Sequence, residues 1–196
     1  MNETPYRIAI GVLLLVMGVG RRIYGRHWWR ATKKTVSRKT GLVFLSLAFL
    51  PGTACLLLYL FSSRLDAFHV ALPVCLRLVG GAMFLVGDFL YVWTHKTLGR
   101  NWSPVLEIME NHTLVTTGPY RYVRHPMYVA ALVTFLGMSM LSADWLVALT
   151  WTGGSILVFA CRIGAEEAMM IEEFGDRYQE YMNRTGRLFP ILRRPQ

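Results

Sequence analysis

Five apolar runs, separated by charge or by turn residues, constrain this chain more than any other feature. They cover residues 6–24, 42–61, 74–93, 126–141 and 145–161. A helix that crosses a bilayer needs about 20 mostly apolar residues. With 54% hydrophobic residues in a chain of 196, roughly half the sequence is available for crossing and too little polar surface remains to solubilise an ordinary globular domain. The pattern predicts an all-α polytopic membrane protein of five transmembrane helices, folded as a single unit over residues 1–196. The fourth and fifth runs are separated only by Ser142-Ala143-Asp144, which reads as a tight helical hairpin. Both are short for a bilayer, so the hairpin is expected to lean against the other spans.

The basic residues give the orientation. The formal charge is +9, and 18 of the 21 Lys and Arg residues fall in three segments: eight in residues 21–41, four in 94–127 and six in 162–196. If the first of these is cytoplasmic by the positive-inside rule, five spans put all three on that side and the N-terminus outside. Four or six spans would not. The charge is thereby accounted for by topology and by affinity for anionic head groups, and nucleic-acid binding is not indicated. The first apolar run precedes its strongest positive charge, the reverse of a cleavable signal, and is read as a retained span. Cys55, Cys75 and Cys161 lie in apolar segments with no C-x-x-C pair, so they read as small core hydrophobes, and neither a disulfide framework nor a metal site is indicated. Gly80, Gly81 and Gly87 lie within the third run and read as close-packing positions. Asp88 and Arg77, in the same run, read as structural charges, with Asp88 facing the bundle and Arg77 snorkelling outward. Neither a G-x-G-x-x-G nor a P-loop pattern is present, so a soluble Rossmann-type domain is unsupported.

Two segments on the predicted cytoplasmic side concentrate chemically capable residues. From within the loop 94–125 into the fourth run, Asn101 to Tyr128 reads NWSPVLEIMENHTLVTTGPYRYVRHPMY, with turn signals at Ser103-Pro104 and Gly118-Pro119. Pro126 fits the first turn of the fourth helix and biases His125 into a cap-like position. From spacing alone, His125 either caps the helix or meets a ligand. The other segment, 162–196, follows the fifth span. Arg162 and Glu166 are four apart on one helix face, which is either a simple salt bridge or a functional pair where charge leaves the bilayer. Beyond them, Ile171, Phe174, Tyr178 and Tyr181 read as the apolar face of an amphipathic helix, and no chemistry is expected there.

At these residues the sequence resembles the isoprenylcysteine carboxyl methyltransferase family, its small prokaryotic members especially. The resemblance runs from the first span to Phe189-Pro190. It rests on the ordered set Asn101-x5-Glu107, His112-Thr113-Leu114-Val115, Gly118-x-Tyr120, Arg124-His125-Pro126-x-Tyr128, Arg162-x3-Glu166-Glu167 and Phe174-Gly175-x2-Tyr178-x2-Tyr181. Phospholipid N-methyltransferases share the Arg-His-Pro and Glu-Glu elements, so the set fixes the cofactor better than the acceptor. The resemblance implies a cytoplasmic segment that binds S-adenosylmethionine and releases S-adenosylhomocysteine. Its contacts would be Glu107, His112, Thr113, Leu114, Val115, Tyr120, His125, Pro126, Met127, Tyr128 and Glu166. Arg162 matches the arginine that positions the acceptor carboxylate, and the acceptor would be a prenylated cysteine or a prenylated protein C-terminus. Two other readings stand beside it: a membrane methyltransferase acting on a phospholipid amine or a thiol, and a non-enzymatic scaffold or transporter. The charge map yields one direct test. A reporter fused after Gln196 should be active only on the cytoplasmic side, and activity on the external face would overturn the orientation.

Overall fold

The computed structural model describes residues 3–24, 32–35, 38–103, 107–109 and 112–191. The basic positions Arg26, Arg30, Arg193 and Arg194, counted above for topology, lie outside the described residues. Helices α1 (Thr4–Tyr24), α2 (Arg38–Phe61), α3 (Val74–Leu98) and α4 (Pro126–Ser142) form on the first four apolar runs. The fifth run is one continuous rod made of a short α5 (Trp145–Val147), a π-helical segment Ala148–Gly153 and α6 (Gly154–Phe174). A final helix, α7 (Asp176–Arg184), follows a break at Gly175, whose φ of +53° is a left-handed conformation open to glycine.

Among the described residues, three helices are long and apolar enough to cross a membrane: Val43–Phe61, Val74–Leu98 and Trp145–Phe174. Thr4–Gly20 and Pro126–Ser142 are shorter apolar helices. Large side chains such as Leu15, Leu47, Leu78, Phe89 and Leu157 are exposed along their outer faces. Such a surface is stable against hydrocarbon, where every backbone polar group is satisfied inside its own helix. Cys75 and Cys161 are exposed there too. They are therefore not core residues, because their helices turn those positions outward; only Cys55 is partly enclosed. The fold is also not wholly helical. Strands β1 (Thr32–Thr35) and β2 (Glu107–Met109) pair antiparallel, with Thr35 opposite Glu107, a long-range pairing that local apolar periodicity does not reveal.

The seam between α3 and α4 holds the bundle together. A Cβ on Gly137 would come within 2.5 Å of the Phe84 nitrogen and 2.6 Å of the Gly80 carbonyl, and one on Gly80 within 2.7 Å of the Gly137 carbonyl. Gly87 makes a similar approach to the Thr134 backbone. Backbones this close gain dispersion contacts in a medium where the hydrophobic effect between helices is weak. Gly81 is different: a Cβ there would meet only the Leu141 side chain, at 3.9 Å.

At the far end of this seam Arg77 is fully buried and does not snorkel outward. Its guanidinium donates to both carboxylate oxygens of Glu3 at 2.9 and 2.6 Å and to the carbonyls of Leu141 and Ser142 at 3.0 and 3.3 Å. It also lies 3.2 Å from the centre of the Tyr6 ring. The last carbonyls of α4 have no partner within their own helix, and Glu3 supplies the counter-charge, so burial satisfies more groups than exposure would. The turn between α4 and α5 is as tight as its sequence suggests: Ala143 is left-handed (φ 51°) and the Asp144 side chain accepts from the Val147 N–H at 3.0 Å.

The two glycine environments separate close packing from helix propensity. Gly137→Ala should destabilise by about 1–3 kcal/mol through overpacking. Gly81→Ala should be neutral or stabilising by up to about 1 kcal/mol. Thermal unfolding in detergent should show a lowered midpoint for the first variant only.

Candidate active site

Three residues, Arg124-His125-Pro126, turn the chain into α4. Pro126 occupies the first helical position and His125 the N-cap, with φ −120° and ψ 59°. The turn is held from outside by the C-terminal segment, since the N–H groups of Arg124 and His125 donate to the carbonyls of Gly186 and Arg187 at 2.8 and 3.1 Å. The His125 side chain makes no cap. Its Nε2 lies 3.3 Å from Glu167 Oε1 and its Nδ1 lies 3.9 Å from Glu166 Oε1. His125 thus holds the expected cap position without a side-chain capping bond.

Adjacent helical residues point about 100° apart, and the two glutamates of α6 divide accordingly. Glu167 is buried and faces the turn: Oε1 accepts from Arg124 Nε at 2.9 Å, and Oε2 from Arg187 at 2.7 to 2.9 Å. Arg124 donates onward to the carbonyls of Met182 and Thr185. Glu166 faces a cavity and accepts from the Tyr128 hydroxyl at 2.5 Å. Arg162 acts electrostatically on the same hydroxyl, so Tyr128 stands between a cation and an anion. Its ring is fixed by stacking on Phe159, with centroids 4.2 Å apart, and lies parallel to the His125 ring at 5.4 Å.

The cavity has a volume of about 490 Å³. One end is polar. There the Asn101 amide grips Thr113, donating to its hydroxyl at 3.0 Å and accepting from its N–H at 3.2 Å, which sets the stretch His112, Thr113, Leu114 and Val115 along the wall. Tyr120 is placed by the Tyr181 hydroxyl, which donates to the Tyr120 carbonyl at 2.6 Å. Burial lowers the pKa of His112, opposed by Glu173, so the imidazole is neutral near pH 7. Its Nδ1 is buried with no hydrogen-bond partner among the described residues, an orphan that a ligand group could satisfy. The other end is apolar, formed by Leu45, Phe49, Ala131, Phe135, Trp151 and Phe159.

Of the residues singled out from the sequence, His112, Thr113, Leu114, Val115, Tyr120, His125, Met127, Tyr128, Arg162 and Glu166 all line this cavity. Pro126 does not; it is buried behind the wall in the first turn of α4. Glu107 lies on β2, and its side chain is outside the described residues. Sequence reasoning missed Arg124 and Glu167, which position His125, and it assigned no role to Asn101. Tyr178 and Tyr181, read as the apolar face of an amphipathic helix, are buried as such a face should be, and both also line the cavity. The break at Gly175 swings α7 back toward the site. The i, i+3 spacing of the two tyrosines was the available signal.

The Glu167 cluster should be unequal in its parts. Glu167→Ala leaves the buried Arg124 without its anion and should cost about 3–5 kcal/mol. Arg187→Ala removes a side chain that is 59% exposed and should cost less than about 1 kcal/mol. Equal shifts in thermal unfolding would refute this ranking.

Residues 80–172 match the isoprenylcysteine carboxyl methyltransferase (ICMT) family. A protein-S-isoprenylcysteine O-methyltransferase of Xenopus laevis is 32% identical over 120 residues, covering 60% of this chain and 42% of that protein. The cobalt-zinc-cadmium resistance protein CzcN of Cupriavidus metallidurans is 33% identical over 97 residues, 49% of this chain and 44% of that protein. The solved structure of a eukaryotic intramembrane Ras methyltransferase, ICMT, superposes with a TM-score of 0.55 at 26% identity, over 82% of this chain and 55% of that one. The chain spans less than half the length of the curated relatives it first matches. Residues 80–172, the stretch over which the chain is similar to the isoprenylcysteine carboxyl methyltransferase family, take in most of α3, all of α4, the loop between them and the Arg162–Glu167 face of α6.

Proposed function

We propose that this chain methylates the carboxylate of a lipophilic S-isoprenylcysteine acceptor, with S-adenosylmethionine as donor, as a single five-span unit over residues 1–196 whose N-terminus is outside and C-terminus cytoplasmic. The observation that carries this reading is the cavity itself. It has a polar end lined by His112 to Val115, an apolar end between helices, and the Arg162–Tyr128–Glu166 constellation where the two meet. One ligand must be polar and the other greasy, and their reacting ends must lie at that junction.

The residues fit the donor. An ammonium group leaving water needs an anion, which Glu166 supplies; the neutral His112 Nδ1 and the exposed backbone of the 112–115 stretch offer acceptors and donors for the rest. The face of Tyr120 suits an adenine ring or a sulfonium. When bound, S-adenosylmethionine supplies a methyl group activated by a sulfonium and departs as the neutral thioether S-adenosylhomocysteine. The protein's share of the work is alignment and exclusion of water. A carboxylate acceptor is already ionised near pH 7, so no general base is required. Arg162 would hold that carboxylate by charge-assisted hydrogen bonds while Tyr128, pinned by Phe159, limits how far the guanidinium can turn. Support for the acceptor comes from the related proteins named as isoprenylcysteine O-methyltransferases.

Binding and turnover should separate at this junction. Glu166→Ala should weaken S-adenosylmethionine binding by about 2–4 kcal/mol, read by calorimetry on folded protein. Arg162→Ala should leave that affinity nearly unchanged and lower kcat/KM for an S-prenylcysteine by at least about a hundredfold. Arg162→Lys should restore part of the loss, because it keeps the charge without the planar fork. Near-normal turnover by Arg162→Ala, or a preference for phospholipid or thiol acceptors in a panel with labelled donor, would overturn the assignment of the acceptor.

A further inference from the structure

The apolar end of the cavity has a built floor. Phe49 of α2, Phe135 of α4 and Trp151 of the π-helical segment form a closed ring triangle: Phe49 and Trp151 stack with centroids 5.6 Å apart, Phe135 and Trp151 are 4.8 Å apart, and Phe49 and Phe135 are 6.3 Å apart. Gly52 buttresses the triangle from behind. A Cβ there would come within 3.1 to 3.2 Å of the indole, so the glycine lets Trp151 sit against α2. The indole N–H faces that glycine and has no hydrogen-bond partner among the described residues. A buried donor left unmet in this way is costly and calls for a reason beyond packing. Trp151 also lies within a π-helical segment, a rarely retained irregularity frequent at functional positions.

The floor lies a definite distance from the chemistry. Along α4, Phe135 is seven residues beyond Tyr128, about 10 Å at helical rise. Along the fifth rod, Trp151 is eleven residues before Arg162, on the order of 16 Å. Along the two helices, the apolar lining thus runs roughly 10 to 16 Å from Tyr128 and Arg162 to the three aromatic rings. We propose that the Phe49–Phe135–Trp151 floor gauges the length of the acceptor's isoprenoid tail. This rests on the acceptor reading given above and adds to it the residues that set tail selectivity.

The gauge works by exclusion. A tail that ends at the floor buries all of its surface, one isoprene unit more must displace aromatic side chains or fold back, and one unit less leaves a void. Pockets that discriminate by a single methylene commonly do so by about ten- to two-hundredfold. Deepening the floor should move the cut-off to longer tails, and filling the passage above it should move it to shorter ones.

The experiment compares S-geranyl, S-farnesyl and S-geranylgeranyl N-acetylcysteine as acceptors for the full chain in nanodiscs. Wild type should show a length beyond which kcat/KM falls by at least about tenfold. Trp151→Leu and Phe49→Ala should each raise that cut-off by one isoprene unit, and Ala131→Leu should lower it. The use of two deepening variants on separate helices covers the case in which one fails to fold. A flat length profile in wild type, or an unmoved cut-off in folded and active variants, overturns the proposal. If wild type methylates no S-prenylcysteine, the acceptor reading fails by itself, and calorimetry with geraniol, farnesol and geranylgeraniol then tests the floor alone. A length preference in binding that shifts with Trp151→Leu upholds it, and equal binding of all three refutes it.

Discussion

The carboxylate of Glu167 is the constraint on which the site depends. It joins three parts of the chain that are distant in sequence: the middle of α6, the turn before α4 through Arg124 and His125, and the C-terminal segment through Arg187. A buried anion with three cationic or polar donors costs desolvation and recovers it only if every donor arrives in register. The same requirement fixes how α6 rotates, and rotation decides which side chains face the cavity. With Glu167 turned toward the Arg-His-Pro corner, its neighbour Glu166 has to face inward, beside Tyr128.

Around that anchor the bundle has one rigid half and one half held by side chains. The glycine seam brings α3 and α4 to backbone contact, which leaves neither helix freedom to slide. The walls from α2 and α6 meet the cavity through long side chains such as Phe49, Phe159 and Arg162. The polar wall of the 112–115 stretch is fastened to the rigid half through Asn101, just past the end of α3. A cavity framed in this way has a fixed wall on one side and walls built of side chains on the other.

Much of this was legible in the sequence because the relevant signals are local. Apolar runs mark helices, Pro126 marks the first turn of α4, and three residues between two runs mark the hairpin. The cavity-lining stretch 112–115 and the pair Arg162 and Glu166 were legible from motif order. What escaped was long-range pairing. Arg77 reads as an outward-pointing cation until Glu3, 74 positions away, is brought beside it. Glu167 reads as one of two equivalent glutamates until helical rotation is fixed by partners on other elements. Tyr178 and Tyr181 read as the apolar face of an amphipathic helix, and nothing nearby in sequence shows that this face closes on the cavity. The β1–β2 pairing was invisible for the same reason.

The π-helical segment Ala148–Gly153 carries a further implication. A π turn holds about one residue more than an α turn, so it works as a phase shifter within a single rod. Upstream of it, α5 is aligned by the Asp144 cap; downstream, α6 must present Arg162 and Glu166 to one side and Glu167 to another. Winding the same residues as regular α-helix would turn everything beyond them by about one residue, roughly 100°. Glu167 would be carried away from Arg124, and the functional face would swing toward lipid although no side chain in the site had changed. The rotation of the Arg162–Glu166 face is thus set about a dozen residues before it, in a π-helical segment of the same rod.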